Sequence, residues 1–394
     1  MVSSETQVVC ACFASRLAVS YLFPSLQQQL DRTVEFSTPV TSYRSLQEGA
    51  YLLLHNLPVY DGGVVHQVPL LVALMALFKP VEFLMPVLFA AMDSLVAFQL
   101  MRIAKLYQRQ LKIPSYIPGI VYAANPLVLL SCVSQSTCLF VNLSISTSLL
   151  YALQGHFSLA AQCIAVAGYL SPYAYLLLIP LVGICGTTSA GVILLLKSTV
   201  VSFVLQLVSF SMNNYNWNYM TSTYWILITF SKMRPNLGLW WYFFIEMFEF
   251  FIPFFKSVFN IFVISFILPF SIRFNQQPFY AFVLCLGWIT LTKSYPTLGD
   301  GGFFLSFVPF FKPVFGYLRY PVISSLLLIH AIVLSPIFYY LWIGLGSGNS
   351  NFFYAISLVY GLAISSVIVD LTWAMLRIEY DSGKPNLSLK LTQI

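Results

Sequence analysis

The stretch FFYAISLVYGLAISSVIVDLTWAML, Phe352 to Leu376, holds one charged residue, Asp370, and runs into Arg377. As a helix rising about 1.5 Å per residue it spans roughly 37 Å, enough to cross a hydrocarbon core of about 30 Å. Runs of the same kind recur along the chain. Crossings are expected at 8–23, 81–101, 115–133, 137–154, 156–186 (one hairpin or two short helices), 190–212, 238–255, 257–273, 279–293 and 321–343. Shorter apolar pieces at 224–232 and 303–312 read as tilted or broken crossings. The expected fold is all-α, a single multi-span unit over 1–394 with about twelve transmembrane helices.

Composition agrees. Of 394 residues 59% are hydrophobic and 8% charged, where soluble domains carry about 25% charge. So few charges cannot cover so much apolar surface in water. A cytosolic enzyme, a disordered chain and a secreted disulfide scaffold are excluded. The net charge of +6 fits cytosolic loops rich in Lys and Arg and does not suggest nucleic acid. The seven cysteines lie in apolar stretches without metal-ligand spacing. His55, His66, His156 and His330 are scattered, so neither a metal nor a cofactor is expected.

The longest polar stretch, 27–67, reads as a membrane-surface loop with a short interfacial helix over 43–55. Val8 to Phe23 reads as a first crossing rather than a cleavable signal. Arg102, Lys105, Arg109 and Lys112 mark the cytosolic side. A single crossing over 68–101, with 68–79 lying along the membrane, then puts the 27–67 loop in the lumen. Lys232 with Arg234, Arg273, and Lys312 with Arg319 read as cytosolic turns, and 377–394 as a cytosolic tail. Three further polar loops, 213–222, 294–302 and 344–351, fall on the lumenal side. The sequons at Asn142 and Asn386 fall in a crossing and in the tail, where no glycan is expected.

Chemistry concentrates in few places. Ser347, Asn349 and Asn351 with three glycines suit a phosphate or sugar head group at a concave turn, although an ordinary turn has the same composition. Asp300 in SYPTLGDGG, near Tyr295, is a candidate partner for a ligand hydroxyl or amine, or faces water. Glu246 and Glu249, three apart in an apolar run, read as one helical face turned to a cavity or partner. Catalytic motifs such as GxSxG, HExxH, Walker and GxGxxG are missing from any supporting context.

Five stretches occur in order: TPVTSYRSLQEGAYLL (Thr38–Leu53), VYDGGVVHQVPLL (Val59–Leu71), NLGLWWYFFIEMFEFFIPFF (Asn236–Phe255), KSYPTLGD (Lys293–Asp300) and GSGNSNFFYA (Gly346–Ala355). Together they resemble the PIG-U family, the multispanning subunit of the glycosylphosphatidylinositol (GPI) transamidase, and the length is that of a yeast-type member. The resemblance implies an endoplasmic-reticulum membrane subunit without catalysis of its own, beside a cysteine-protease-like catalytic subunit. It would bind the GPI lipid, with the C-terminal signal peptide as a second candidate ligand, and brace the complex. GPI-binding residues would be Asn349, Asn351, Ser347, Asp300 and Tyr295. Glu246, Glu249, Asn236 and Trp241 would orient helices or meet partners. The family also resembles the lumenal GT-C-type mannosyltransferases, whose first loop carries acids just before a Tyr. Here Ser37 to Tyr43 holds none, although Glu48, Tyr60 and His66 persist, and Glu35 and Asp61 lie near. The competing readings are a lumenal lipid-linked-sugar mannosyltransferase-like enzyme and a transporter.

Overall fold

The computed structural model describes residues 4–111 and 113–381, with side chains described outside 108–112. Lys384, Lys390, the Asn386 sequon, Lys112 and the Arg109 side chain lie outside that description. Every element among the described residues is helical. Five helical stretches are long and apolar enough to cross a membrane: Pro69–Tyr107, Thr188–Met212, Glu249–Arg273, Pro321–Gly344 and Ser350–Tyr380. Ser4–Leu22 joins them if counted with Pro24–Leu30 across a 93° bend. Shorter apolar helices pack between them, including Cys138–Leu153, Phe157–Leu170 and Pro278–Thr292. The chain is a polytopic helical membrane protein.

The Pro278–Thr292 helix lies at the centre, with every side chain from Phe279 to Thr292 buried. A helix apolar all round belongs inside. The expected 115–133 crossing is split into Ile117–Ala124 and Pro126–Val133. Pro126 lacks an N–H and pushes Asn125 out of the helical region; the Asn125 side chain then caps the second piece through Leu127 N at 3.0 Å.

The helices gather their polar residues at two ends. At one, Lys105 meets Glu5 at 2.7 Å and Arg273 meets Glu379 at 2.7 Å; Tyr107, Gln276 and Ile378 line one cavity there, so both described chain ends lie on the same side. At the other, Thr137 N donates to Thr41 O (3.0 Å), Leu298 N to Glu35 O (2.8 Å) and Asn218 Nδ2 to Asp61 (3.0 Å). Val34 of the first loop packs in one cluster with Trp342 and Phe353, which flank the 344–351 turn, so the four polar loops share this loop end. Its interfacial helix runs Tyr43–Leu54, capped by Ser42 and by Asp31, which accepts from the N–H groups of Tyr43 and Arg44. Glu82 accepts from Gln47 of that helix. The 68–84 stretch thus stays beside the loop end, and Met85–Leu111 alone makes the traverse.

Three expectations need correction. The 224–232 piece does not cross: Asn218 bonds Asp61 before it and Lys232 bonds His66 after it. Lys232 and Arg234 consequently sit with the 27–67 loop rather than in a turn at the opposite end. The 238–255 run is not one helix either. Trp241–Glu246 ends where Met247 and Phe248 turn extended, and helix resumes near Glu249. Glu246 and Glu249 therefore do not share a helical face.

Candidate functional site

A two-part cleft opens at the loop end. Its inner chamber is narrow, with a cavity volume of about 50 Å³, and is lined by Thr41, His66, Tyr173, Lys293, Tyr295 and Asp300 among others. An outer groove with a cavity volume of about 440 Å³ runs between the first loop and the 232–235 segment. His66 lines both and is the wall they share.

Local structure sets each side chain. Thr297 and Asp300 form a reciprocal capping box at the start of Leu298–Leu305: Asp300 Oδ2 accepts from Thr297 N and Oγ1, both at 2.8 Å. The same oxygen pairs with Lys293 Nζ at 2.6 Å. That leaves Lys293, with three donors, able to serve the chamber. The glycines around Asp300 serve packing. A Cβ on Gly299 would collide with Ser131, and one on Gly301 with Tyr360. Tyr173 and Ser294 hydroxyls bond at 2.8 Å, and Tyr295 OH donates to Lys232 O at 2.5 Å. That last bond ties the chamber to the groove.

His66 donates from Nδ1 to Ser222 O at 2.7 Å, leaving Nε2 to accept from Lys232 Nζ at 3.2 Å. Accepting from Lys232 requires the neutral ring, since a protonated ring would donate from both nitrogens. Burial, with Lys232 and Arg234 nearby, lowers its pKa to about 4. Burial and the Arg234 charge also lower the Lys232 pKa. Asp31 borders the groove, but its carboxylate is engaged by Ser37 Oγ (2.9 Å) and the N–H groups of Tyr43 and Arg44 (3.1 Å each).

Of the residues singled out in the sequence, the cleft brings together Tyr295 and Asp300. Ser347, Asn349 and Asn351 lie on a turn at the same end and do not line it. There the N–H groups of Ser347 and Gly348 both point to Leu341 O, Asn349 caps the last helix through Phe352 N, and Asn351 accepts from Tyr242 OH. Asn236 folds the 234–238 turn, accepting from Gly238 N at 2.6 Å and donating to Arg234 O at 3.0 Å. Trp241 stacks on Trp342 and packs against Tyr354. Glu246 and Glu249 are exposed. Neither Glu35, whose carboxylate accepts from Ser335 Oγ in the interior, nor Asp61, held by Asn218, lines the cleft.

Sequence reasoning missed Arg32, Arg44, Lys232, Arg234 and Lys293 as site residues. The basic pair at 232 and 234 was assigned by charge counting to the wrong end. The contact of Val59–Leu71 with that pair was the available signal, in His66 alone.

The comparisons with known proteins agree with this architecture. The family model described as GPI transamidase subunit PIG-U matches residues 10–360. The chain is 57% identical over 396 residues to the GPI transamidase component GAB1 of Saccharomyces cerevisiae, with 100% of both chains covered. It is 30% identical over 381 residues to the GAB1 homolog of Schizosaccharomyces pombe, covering 92% of each, and 28% identical over 403 residues to the GPI-anchor transamidase component PIGU of Homo sapiens, covering 90% of each. The match runs through both walls of the cleft, and the chain belongs to the PIG-U family of GPI transamidase subunits.

Proposed function

We propose that this chain is the non-catalytic, anchor-binding subunit of a GPI transamidase in the endoplasmic-reticulum membrane. It forms one transmembrane unit whose loop end faces the lumen and whose broken helices bring the crossings to about twelve. The cleft receives the GPI head group while the surrounding helices hold its acyl chains. The observation that carries this reading is the two-part cleft at the loop end, lined jointly by residues of the 27–67 loop, the 223–235 segment and Lys293 to Asp300. Tyr295 and Asp300 contact the ligand from within, and Ser347, Asn349 and Asn351 meet parts that extend beyond the mouth. Glu246 and Glu249, exposed among Phe248, Phe250 and Phe254, face partner subunits, one of them the cysteine-protease-like catalyst; Asn236 and Trp241 orient the segment that carries them. The C-terminal signal peptide is a second occupant for the same membrane region.

Filling the chamber tests this. Val141 lines the chamber, and Val141→Trp should deplete the GPI lipid that co-purifies with the intact complex, measured by mass spectrometry of the extract, while the other subunits stay bound. Wild-type lipid content with the chamber filled sinks the proposal. The second reading, a mannosyltransferase-like enzyme on a GT-C-type scaffold, requires a carboxylate free to take a hydroxyl proton. Glu48, exposed at the groove, is the residue that best fits it. Sugar transfer by the purified chain, abolished in Glu48→Gln, Glu35→Gln or Asp61→Asn, would favour that reading.

A further inference from the structure

Six of the fifteen Lys and Arg side chains the structure describes are ion-paired. Arg16, Lys79, Lys105, Lys293, Arg273 and Arg377 each pair with a carboxylate within 4.0 Å. The outer groove is different. Arg32 and Arg44 on the first loop and Lys232 and Arg234 on the facing segment all line it. Among the described residues, none of these four has an ion pair. Two carboxylates line the groove with them: Asp31 is spent on a helix start, and Glu48 has no bonded partner among the described residues. The Lys232 ammonium is held against neutral His66, so the cation there is not neutralised by its contact. Four cations facing one another across a concave groove repel unless an anion lies between them, and a concave low-dielectric wall strengthens their field.

We infer that the outer groove is a phosphodiester subsite, recognising the lipid-linked phosphate of a glycophospholipid, and that the inner chamber takes its uncharged sugar part. This rests on the anchor-binding reading and assigns chemistry within it. Arg32, Arg44 and Arg234 supply planar forks suited to phosphate oxygens, and Lys232 a point charge. The chamber, whose cation Lys293 is neutralised by Asp300 and which is walled by the Tyr173 and Tyr295 rings, is chemically suited to hydroxyl-rich rings. The division falls at His66.

The test uses the intact detergent-solubilised complex with fluorescent phosphatidylinositol, and diacylglycerol of the same chains as the uncharged control. Lys232→Ala with Arg234→Ala should weaken phosphatidylinositol binding by about tenfold or more and flatten its salt dependence, leaving diacylglycerol binding unchanged. Lys232→Arg with Arg234→Lys, which keeps both charges and guards against misfolding, should bind within a few-fold of wild type. Phosphatidylinositol binding within twofold of wild type in the double Ala variant would overturn the inference. So would displacement by millimolar inorganic phosphate as effective as by glycerophosphoinositol, which would mark a free-phosphate site. Retention of co-purified GPI lipid separates the two levels. If Val141→Trp depletes it and the double Ala variant does not, the phosphodiester subsite fails and anchor binding stands; if neither does, both fail.

Discussion

Two ion pairs in this molecule have the same chemistry and opposite surroundings. Arg16 and Asp93 meet at 2.7 Å with side chains wholly buried. Asp93 also accepts from Tyr122 OH at 2.6 Å, and Arg16 donates to Ala123 O at 2.6 Å. No described cavity touches them. Lys293 and Asp300 meet at 2.6 Å but border the inner chamber. The first pair joins the Ser4–Leu22, Met85–Leu111 and Ile117–Ala124 helices, with Arg16 Nη2 left without a hydrogen-bond partner among the described residues. The second is anchored on one side by the Thr297 capping box and open on the other to whatever enters. Charge inside a membrane protein therefore has to be judged by what lies beside it: an enclosed pair ties the helices it joins and is costly to break, whereas a pair beside a cavity can also meet a ligand.

The largest expected effect breaks the enclosed pair. Asp93→Ala leaves the Arg16 guanidinium buried without its carboxylate and should cost about 3–5 kcal/mol; the complex should lose abundance and thermal stability in detergent. Arg16→Met with Asp93→Leu should recover most of it, and no recovery would show that the pair does more than fix helices. A smaller loss is expected for Asp370→Ala. Its carboxylate accepts from Arg319 N at 2.8 Å and Tyr320 N at 2.9 Å, just before the Pro321–Tyr339 helix. Removing it should cost about 1–3 kcal/mol, read as a lower melting midpoint with unchanged lipid retention. Lys293→Gln, at the open pair, should do the reverse: a nearly unchanged midpoint with co-purified GPI lipid reduced several-fold.

His66 sharpens the comparison through pH. Its pKa lies at about 4 in the fold, below the usual value of about 6.5. The unfolded chain therefore takes up this proton first. Stability from the neutral ring is complete above about pH 6.5 and is lost as pH falls toward 4. A wild-type melting midpoint that drops across that window should flatten in His66→Asn; an identical drop in both would assign it to other groups. The smallest effect is expected for Asn351→Ala, exposed outside the cleft and bonded to Tyr242. It should shift lipid retention by less than twofold, and a loss as large as that of the groove variants would move the head-group site to the 344–351 turn.

Much of the fold could be read directly. The interfacial helix was expected over 43–55 and runs Tyr43–Leu54, because Ser42 and a patterned apolar face mark it locally. The pairing of the polar loops at one end followed from where apolar runs stop. The site was less legible. Asp300 and Tyr295 stood out as polar residues at a glycine-rich helix start, whereas Arg32, Arg44, Lys232 and Arg234 lie in two segments far apart in the chain. Each has an ordinary basic context, and only the groove gives them a common purpose.

Sequence alone determined that this is a helical membrane protein, since 8% charge among 59% hydrophobic residues cannot be solvated otherwise. It also determined the long crossings, whose apolar length makes any other placement costly. Tertiary structure decided what happens to the marginal pieces. Residues 224–232 are too short to be driven across by their own apolar surface, so packing of Ile226 and Leu227 against Tyr295 holds them at the loop end. That one choice sets which side Lys232 and Arg234 face, and with it whether four cations are scattered or line one groove.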